Sequence, residues 1–502
     1  MHRHAAARTL LSTFYILLLI SCSSRSPASV PPTWTPRPSA TPPPTETPLP
    51  TETATPFPTL APELERPQYL IDLQLNYSKK AAVVNETVTY PNWTGETLTN
   101  LVLAVEPNLW SGGFNLRSLA VDDRPVTDYT LENLSQRLEI QLPEPLPPSR
   151  TITIDMTYGL ILPEMQAYTD PNEVRPQIYG YSERQTNLVD WYPFVVPYVP
   201  GAGWLLHNPW FYGEHLVYGP ADFDVTITFT DGSDPLIAAS GEEVESITAG
   251  SRRFVLEAGR TFALSISTVF NVAMQKADGV TVYSYYFTYY EDAGKALLRT
   301  TLEALQVYIE RFGPYRHKTL TAVQGDFNDG MEFSAFYFIS RDYFNLYDGT
   351  PRNYLVTIGA HETAHQWWFD AVANDQALEP WLDEALATYS EHLYYETVHP
   401  DDVSWWWGYR YFEFQKAGFV DTPIYEGGGQ RPYWDKVYLT GARFLEDLRK
   451  RTGDETFFAF LRDYYARYTS RRAAATDFFQ VLRENTAVDI SDLMTRYFQN
   501  SY

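Results

Sequence analysis

The segment HETAHQWWFD, residues 361–370, places two of the chain's nine histidines four residues apart, with a glutamate directly after the first. On a helix, residues four apart share a face, so His361 and His365 present two imidazoles to one point. Glu362 is turned by about 100° from His361 and is badly placed as a further ligand, but it can reach a water held at the same point. Zinc used for hydrolysis needs three protein ligands and an open fourth position. A second helical stretch, EPWLDEALATYSEHLYYE, supplies the third in Glu384, 19 residues after His365. His361, His365 and Glu384 are therefore the expected ligands of one Zn2+ per chain. Such an ion acidifies bound water and polarises a scissile carbonyl. Glu362 is the expected general base, taking the water's proton and passing it to the leaving nitrogen. A phenol nearby would serve the oxyanion of the tetrahedral intermediate.

Two helices must bring these groups together. The reading takes NYLVTIGAHETAHQWWFDAV as one helix and starts the other at Pro380, a residue suited to a first helical turn. Before them, EDAGKALLRTTLEALQVYIERFG has helical spacing and ends at Gly313-Pro314, and KTLTAVQGDF reads as a strand. From Gln68 to about Val269 the pattern is different. YLIDLQLNY, ETVTYPNW, RLEIQLPE, RTITIDMTY and DFDVTITFTD alternate apolar with polar residues. The expected fold class is α+β: an N-terminal antiparallel β domain over residues 65–270, then a mainly helical catalytic body over 271–502.

The chain has 502 residues and a formal charge of −24, from 38 Lys+Arg against 62 Asp+Glu. That balance repels nucleic acid and anionic membrane, so no nucleic-acid partner is expected. Residues 1–21 read as a leader: Met1–Arg8 is basic, and the apolar run Thr9–Ile20 is too short to span a bilayer comfortably. It ends in Leu19-Ile20-Ser21-Cys22, which resembles the bacterial lipoprotein lipobox, and Cys22 is the single cysteine of the chain. The expectation is a lipid anchor at Cys22 and an extracytoplasmic, membrane-held protein without disulfides. Residues 22–64 are rich in Pro, Thr, Ser and Ala. About 40 such residues, at about 3.1 Å each, form a semi-rigid spacer of up to ~120 Å.

The block HETAHQWWFDAVANDQALEPWLDEALATYSE resembles the zinc aminopeptidases of the aminopeptidase N and leukotriene hydrolase type, in a short bacterial form. The resemblance implies a thermolysin-like catalytic domain acting on peptides. It carries the ligand roles onto His361, His365 and Glu384 and the base onto Glu362. VYLTGARFLEDL resembles the family's Tyr-x-x-Gly segment, which makes Tyr438 the oxyanion-stabilising phenol. DGMEF resembles its exopeptidase motif, which makes Gly330, Met331 and Glu332 substrate-binding, with the Glu332 carboxylate on the substrate's free α-amino group. Two positions depart from the pattern. Phe333 stands where asparagine is usual, and Ala385 where glycine is usual. The Phe333 change keeps a zinc endopeptidase open as an alternative, and a catalytically inactive binding protein is the rival from another class.

Other features read as structural. His207 and His215 are ordinary surface or core histidines, and His392 and His399 surface residues. Trp405, Trp406 and Trp407 cannot share one helix face, which suggests helix packing or the wall of an aromatic pocket. EGGGQ at 426–430 is a turn with no helix starting there. FFAFLRDYYARY and TDFFQVLREN are amphipathic helices that pack the core.

Overall fold

Strand Gln68–Asn76 buries Tyr69, Ile71, Leu73 and Leu75 and turns the residues between them outward, as the two-residue period of a half-covered strand requires. In the computed structural model, which describes residues 57–63, 65–166, 177–413 and 418–502, this strand sits inside an eight-stranded sheet. The leader, Cys22 and nearly all of the Pro/Thr-rich stretch lie outside the described residues. The predicted strands form at 81–91, 137–146, 151–161 and 221–229. One pairing corrects the antiparallel expectation: Gln68–Asn76 runs parallel to Ala221–Phe229 over eight register pairs. Parallel neighbours need a long crossover, and the intervening chain supplies it by building the whole of a four-stranded sheet, among other strands, before it returns.

From Phe270 onward a separate five-stranded sheet begins. Its order is 270–277, 280–287, 319–324, 336–339 and, at the edge, Met331–Phe333. Helix Glu291–Phe312 joins two parallel strands of this sheet and packs on the helix Tyr354–Ala364. Its Tyr308 hydroxyl lies 3.0 Å from the carbonyls of both Ala360 and Ser390, so one phenol ties together the two helices that carry the expected ligands.

The predicted helix through HETAHQWWFDAV stops early. It is capped at its start by the Asn353 side chain, which accepts from the Val356 amide, and it ends at Ala364 with His365 at its C-cap. Beyond it Trp367 packs on Tyr308 and Phe312, and Trp368 on Phe312 and Tyr464. The turn is completed at Phe369, whose φ of 142° leaves the helical region altogether. Burial of three consecutive aromatics outweighs continuation of the helix. Helix Trp381–Val398 does form, with Pro380 at its N-cap and Asp383 and Glu384 in the first turn, where the helix dipole favours carboxylates.

Arg260 fastens the β region to this body. It is 3% exposed, and its guanidinium donates to the carbonyls of Tyr218, Asp370, Ala371 and Arg471. The two C-terminal amphipathic helices form at 454–468 and 475–485, and the second buries Phe478 and Phe479 against Trp381.

Candidate active site

His361 and His365 stand one turn apart, with ring centroids 4.7 Å from each other. Glu384 meets them from the neighbouring helix: its Oε2 is 3.3 Å from His361 Nε2 and 3.6 Å from His365 Nε2. One donor atom from each residue falls within 4.8 Å of the others, and all three residues are buried.

The remaining ring nitrogens are held from behind. His361 Nδ1 lies 2.8 Å from Glu391, and His365 Nδ1 lies 2.6 Å from Asp383 and 3.0 Å from the Trp368 carbonyl. Carboxylates and carbonyls accept hydrogen bonds, so each Nδ1 carries a proton and both Nε2 atoms face Glu384. Glu391 is itself gripped by the Arg410 guanidinium through both oxygens and by the Trp406 indole. Burial would raise the Glu391 carboxyl, but Arg410 and His361 outweigh it and hold it low. Desolvation pulls His361 down to about 4, which keeps it neutral.

The cleft around this cluster, about 780 Å³ including its open mouth, is rich in carboxylates. Burial pushes the Glu362 and Glu384 carboxyls up, and neighbouring acids push in the same direction. His365 shows the complement: burial opposes its charge, yet Glu332, Asp383 and Glu384 drive its pKa upward. Two imidazole nitrogens and a carboxyl oxygen, converging within 4.8 Å, fit a divalent cation of zinc's ligand preference. Glu362 Oε2 is buried with no hydrogen-bond partner. Its other oxygen would lie 2.3 Å from a Cβ at position 330, so Gly330 is the residue that lets the base and the edge strand approach.

Tyr438 enters from a π-helical turn, 435–440, and its hydroxyl donates to Glu384 Oε1 at 2.5 Å. The turn continues into helix Gly441–Thr452. A Cβ at Gly441 would sit 2.4 Å from that of Ala385, so the methyl at 385, where the family pattern has glycine, is accommodated by the glycine facing it. Glu332 reaches the cleft from the edge strand, and Gln376 donates to both Glu332 (3.3 Å) and Asp383 (2.9 Å). Met331 and Phe333 point to the other face of that strand, and Phe333 is 2% exposed against Phe336 and Phe338.

The structure thus gathers His361, Glu362, His365, Glu384, Tyr438, Gly330 and Glu332 around one cleft. It adds residues that the sequence reading missed: Asp383, Glu391, Gln376, Arg410 and Glu214. Glu391 had a signal, since it lies two helical turns after Glu384 on the same face. Glu214 had none, because it arrives from the β region. Other readings are corrected. His392 is 5% exposed and lies in the core rather than on the surface. A short helix does start within EGGGQ, at Gln430, because Pro432 suits its first turn. Trp406 is fully buried and Trp405 and Trp407 half-buried, so this run serves packing and supports Glu391. His207 and His215 pair with Asp375 and Glu106.

Residues 297–497 match the Peptidase family M1 domain. Aminopeptidase M1-D of Oryza sativa subsp. japonica is 26% identical over 220 residues, 41% of this chain and 25% of that protein. Aminopeptidase N of Lactococcus lactis subsp. cremoris (strain MG1363) is 26% identical over 157 residues, 28% of this chain and 18% of that one. The chain therefore spans about a quarter or less of the length of these relatives. Among solved structures, the M1 zinc metallopeptidase from Deinococcus radiodurans superposes with a TM-score of 0.61 at 17% identity, over 87% of this chain and 94% of that one. Legionella pneumophila aminopeptidase A gives 0.62 at 14% identity, over 86% of this chain and 49% of that one. These superpositions bear out the α+β order of β region and helical body. The sequence match falls on the stretch that carries His361 to Tyr438, so residues 297–497 are similar to the Peptidase family M1 domain, and the relatives and superpositions together support an aminopeptidase N-type gluzincin.

Proposed function

We propose that this protein is a zinc aminopeptidase that removes N-terminal residues from peptides. One observation carries the reading. Carboxylate oxygens of Glu214, Glu332 and Glu384 lie within 4.8 Å of one another, directly beside the two histidines. Three converging carboxylates suit a substrate's α-ammonium group, and their place beside the ligands sets the scissile bond one residue from that terminus.

Zinc held by His361, His365 and Glu384 would supply Lewis acidity to a water and to the scissile carbonyl. Glu362 has the free oxygen and the enclosed position to accept a proton from the attacking water and return it to the leaving amine. Tyr438 can turn its hydroxyl from Glu384 to the developing oxyanion. The edge strand Met331–Phe333 offers backbone groups to an extended substrate, and the buried ring of Phe333 leaves that edge clear. A Deinococcus radiodurans relative of the same fold has been crystallised with the peptide Tyr-Ser-Ala, which supports a peptide substrate.

Peptide pairs with free and acetylated N-termini test the reading. Free peptides should be trimmed from the N-terminus and acetylated ones spared. Glu332→Ala should raise KM for free peptides selectively. Internal cleavage of acetylated peptides at the same rate would make the protein an endopeptidase instead.

We also infer, from the lipobox-like Leu19–Cys22 and the Pro/Thr-rich stretch after it, that the enzyme is held outside the cytoplasm on a lipidated Cys22. Labelled palmitate should enter the wild type and not Cys22→Ala, and the variant should leave the membrane fraction. Equal labelling of both would refute the anchor.

A further inference from the structure

A second cavity, of about 1010 Å³ including its mouth, adjoins the cleft and shares Gly213 and Glu214 with it. The edge strand divides the two. Glu332 faces the cleft, while Met331 and Phe333, on the opposite face of the pleat, line the second cavity. A residue whose α-amino group rests on Glu332 and Glu214 has this cavity within reach of its side chain.

The cavity's walls are chemically one-sided. Glu106, Asp190 and Glu214 contribute carboxylates, and no lysine or arginine is among the described lining residues. His215 is turned to Glu106 (3.2 Å) and Gln136 (3.1 Å). Trp110, Trp210 and Phe211 provide ring surface, and Trp210 and Phe211 remain 38% and 60% exposed. Tyr179 also lines the cavity. It is 4% exposed, and its hydroxyl has no hydrogen-bond partner. A buried hydroxyl left unpaired is costly unless a ligand satisfies it.

We propose that this cavity receives the side chain of the substrate's first residue and that the side chain is basic, arginine or lysine. The inference rests on the aminopeptidase reading above. Aromatic rings suit both the aliphatic stem and the cation at its end. The carboxylates supply the counter-charge, and the Tyr179 oxygen accepts from the incoming N–H donors. An acidic side chain would meet like charge, and an aliphatic one would leave Tyr179 unsatisfied.

The test compares near-isosteric aminoacyl p-nitroanilides on the wild-type enzyme: lysyl against norleucyl, and arginyl against citrullyl. The charged member of each pair should be preferred by at least about tenfold in kcat/KM. Tyr179→Phe and Glu106→Gln should each narrow both ratios, whatever they do to the absolute rates. Neutral members cleaved as fast as charged ones would overturn the pocket assignment and leave the aminopeptidase reading in place. No turnover of any of the four would overturn the aminopeptidase reading, and this inference with it.

Discussion

Gln366 is bonded to the edge strand on which the substrate is expected to lie: its Nε2 donates to the Phe333 carbonyl at 3.1 Å, and its Oε1 accepts from the Ala335 amide at 2.9 Å. One side chain, directly after His365, thus links the candidate ligand histidines to the strand that carries Glu332. Gln366→Ala should lower kcat/KM by about 10- to 100-fold, because an ångström of misplacement costs that much. Zinc content, measured by atomic absorption, should stay at one per chain. Unchanged kinetics in that variant would show that the hairpin is held by other contacts.

Tyr438 can be tested by removing a single atom. Tyr438→Phe keeps the ring, which lies 6.0 Å from that of His361 at an interplanar angle of 5°. If the hydroxyl serves the transition state, kcat falls by about 10²- to 10³-fold with KM little changed. A rise in KM alone would assign the phenol to substrate binding.

The Glu391 carboxylate orients His361 while answering Arg410 and Trp406. Glu391→Gln should weaken zinc binding by about 10- to 100-fold in competition with a chelator, although Glu391 does not itself face the cleft. Wild-type zinc affinity would mean that helix geometry alone orients the imidazole. Chelation of the wild type should abolish activity and lower Tm, and added zinc should restore both.

Far from the cleft, Glu86 is 1% exposed, and its Oε2 accepts from the Tyr158 hydroxyl at 2.7 Å. Burial raises this carboxyl from 4.5 to about 8 despite that bond. The folded chain therefore keeps a proton that the unfolded chain releases within that interval. The stabilising contribution is complete below the unfolded pKa and is lost as pH climbs through about 8, on the order of a few kcal/mol. Thermal melts from about pH 5 to about pH 9 should show Tm declining in the wild type and a flatter profile in Glu86→Gln. Parallel profiles for the two proteins would rule Glu86 out as the titrating group.

Much of the site was legible because helices convert spacing into geometry. Four residues are one turn, so His361 and His365 converge wherever the helix is placed, and Glu391 repeats the face of Glu384 two turns on. Strand alternation was equally local, and the strands at 68–76 and 221–229 form where the pattern predicts. What local pattern misjudged was the end of the His361 helix. There, aromatic burial by Trp367, Trp368 and Phe369 overrides helical continuation, and those partners lie elsewhere in the chain.

The sequence by itself determined the order of β region and helical body and nominated the candidate ligand set and base, since each depends on residue type and short spacing. Only the tertiary structure decided what meets that set. It brings Glu214 from the β region to stand with Glu332 and Glu384, closes Gly441 onto Ala385 so that Tyr438 reaches Glu384, and opens the second cavity behind Met331 and Phe333. These contacts join segments far apart in the chain, and they arise from packing that no spacing within one segment encodes.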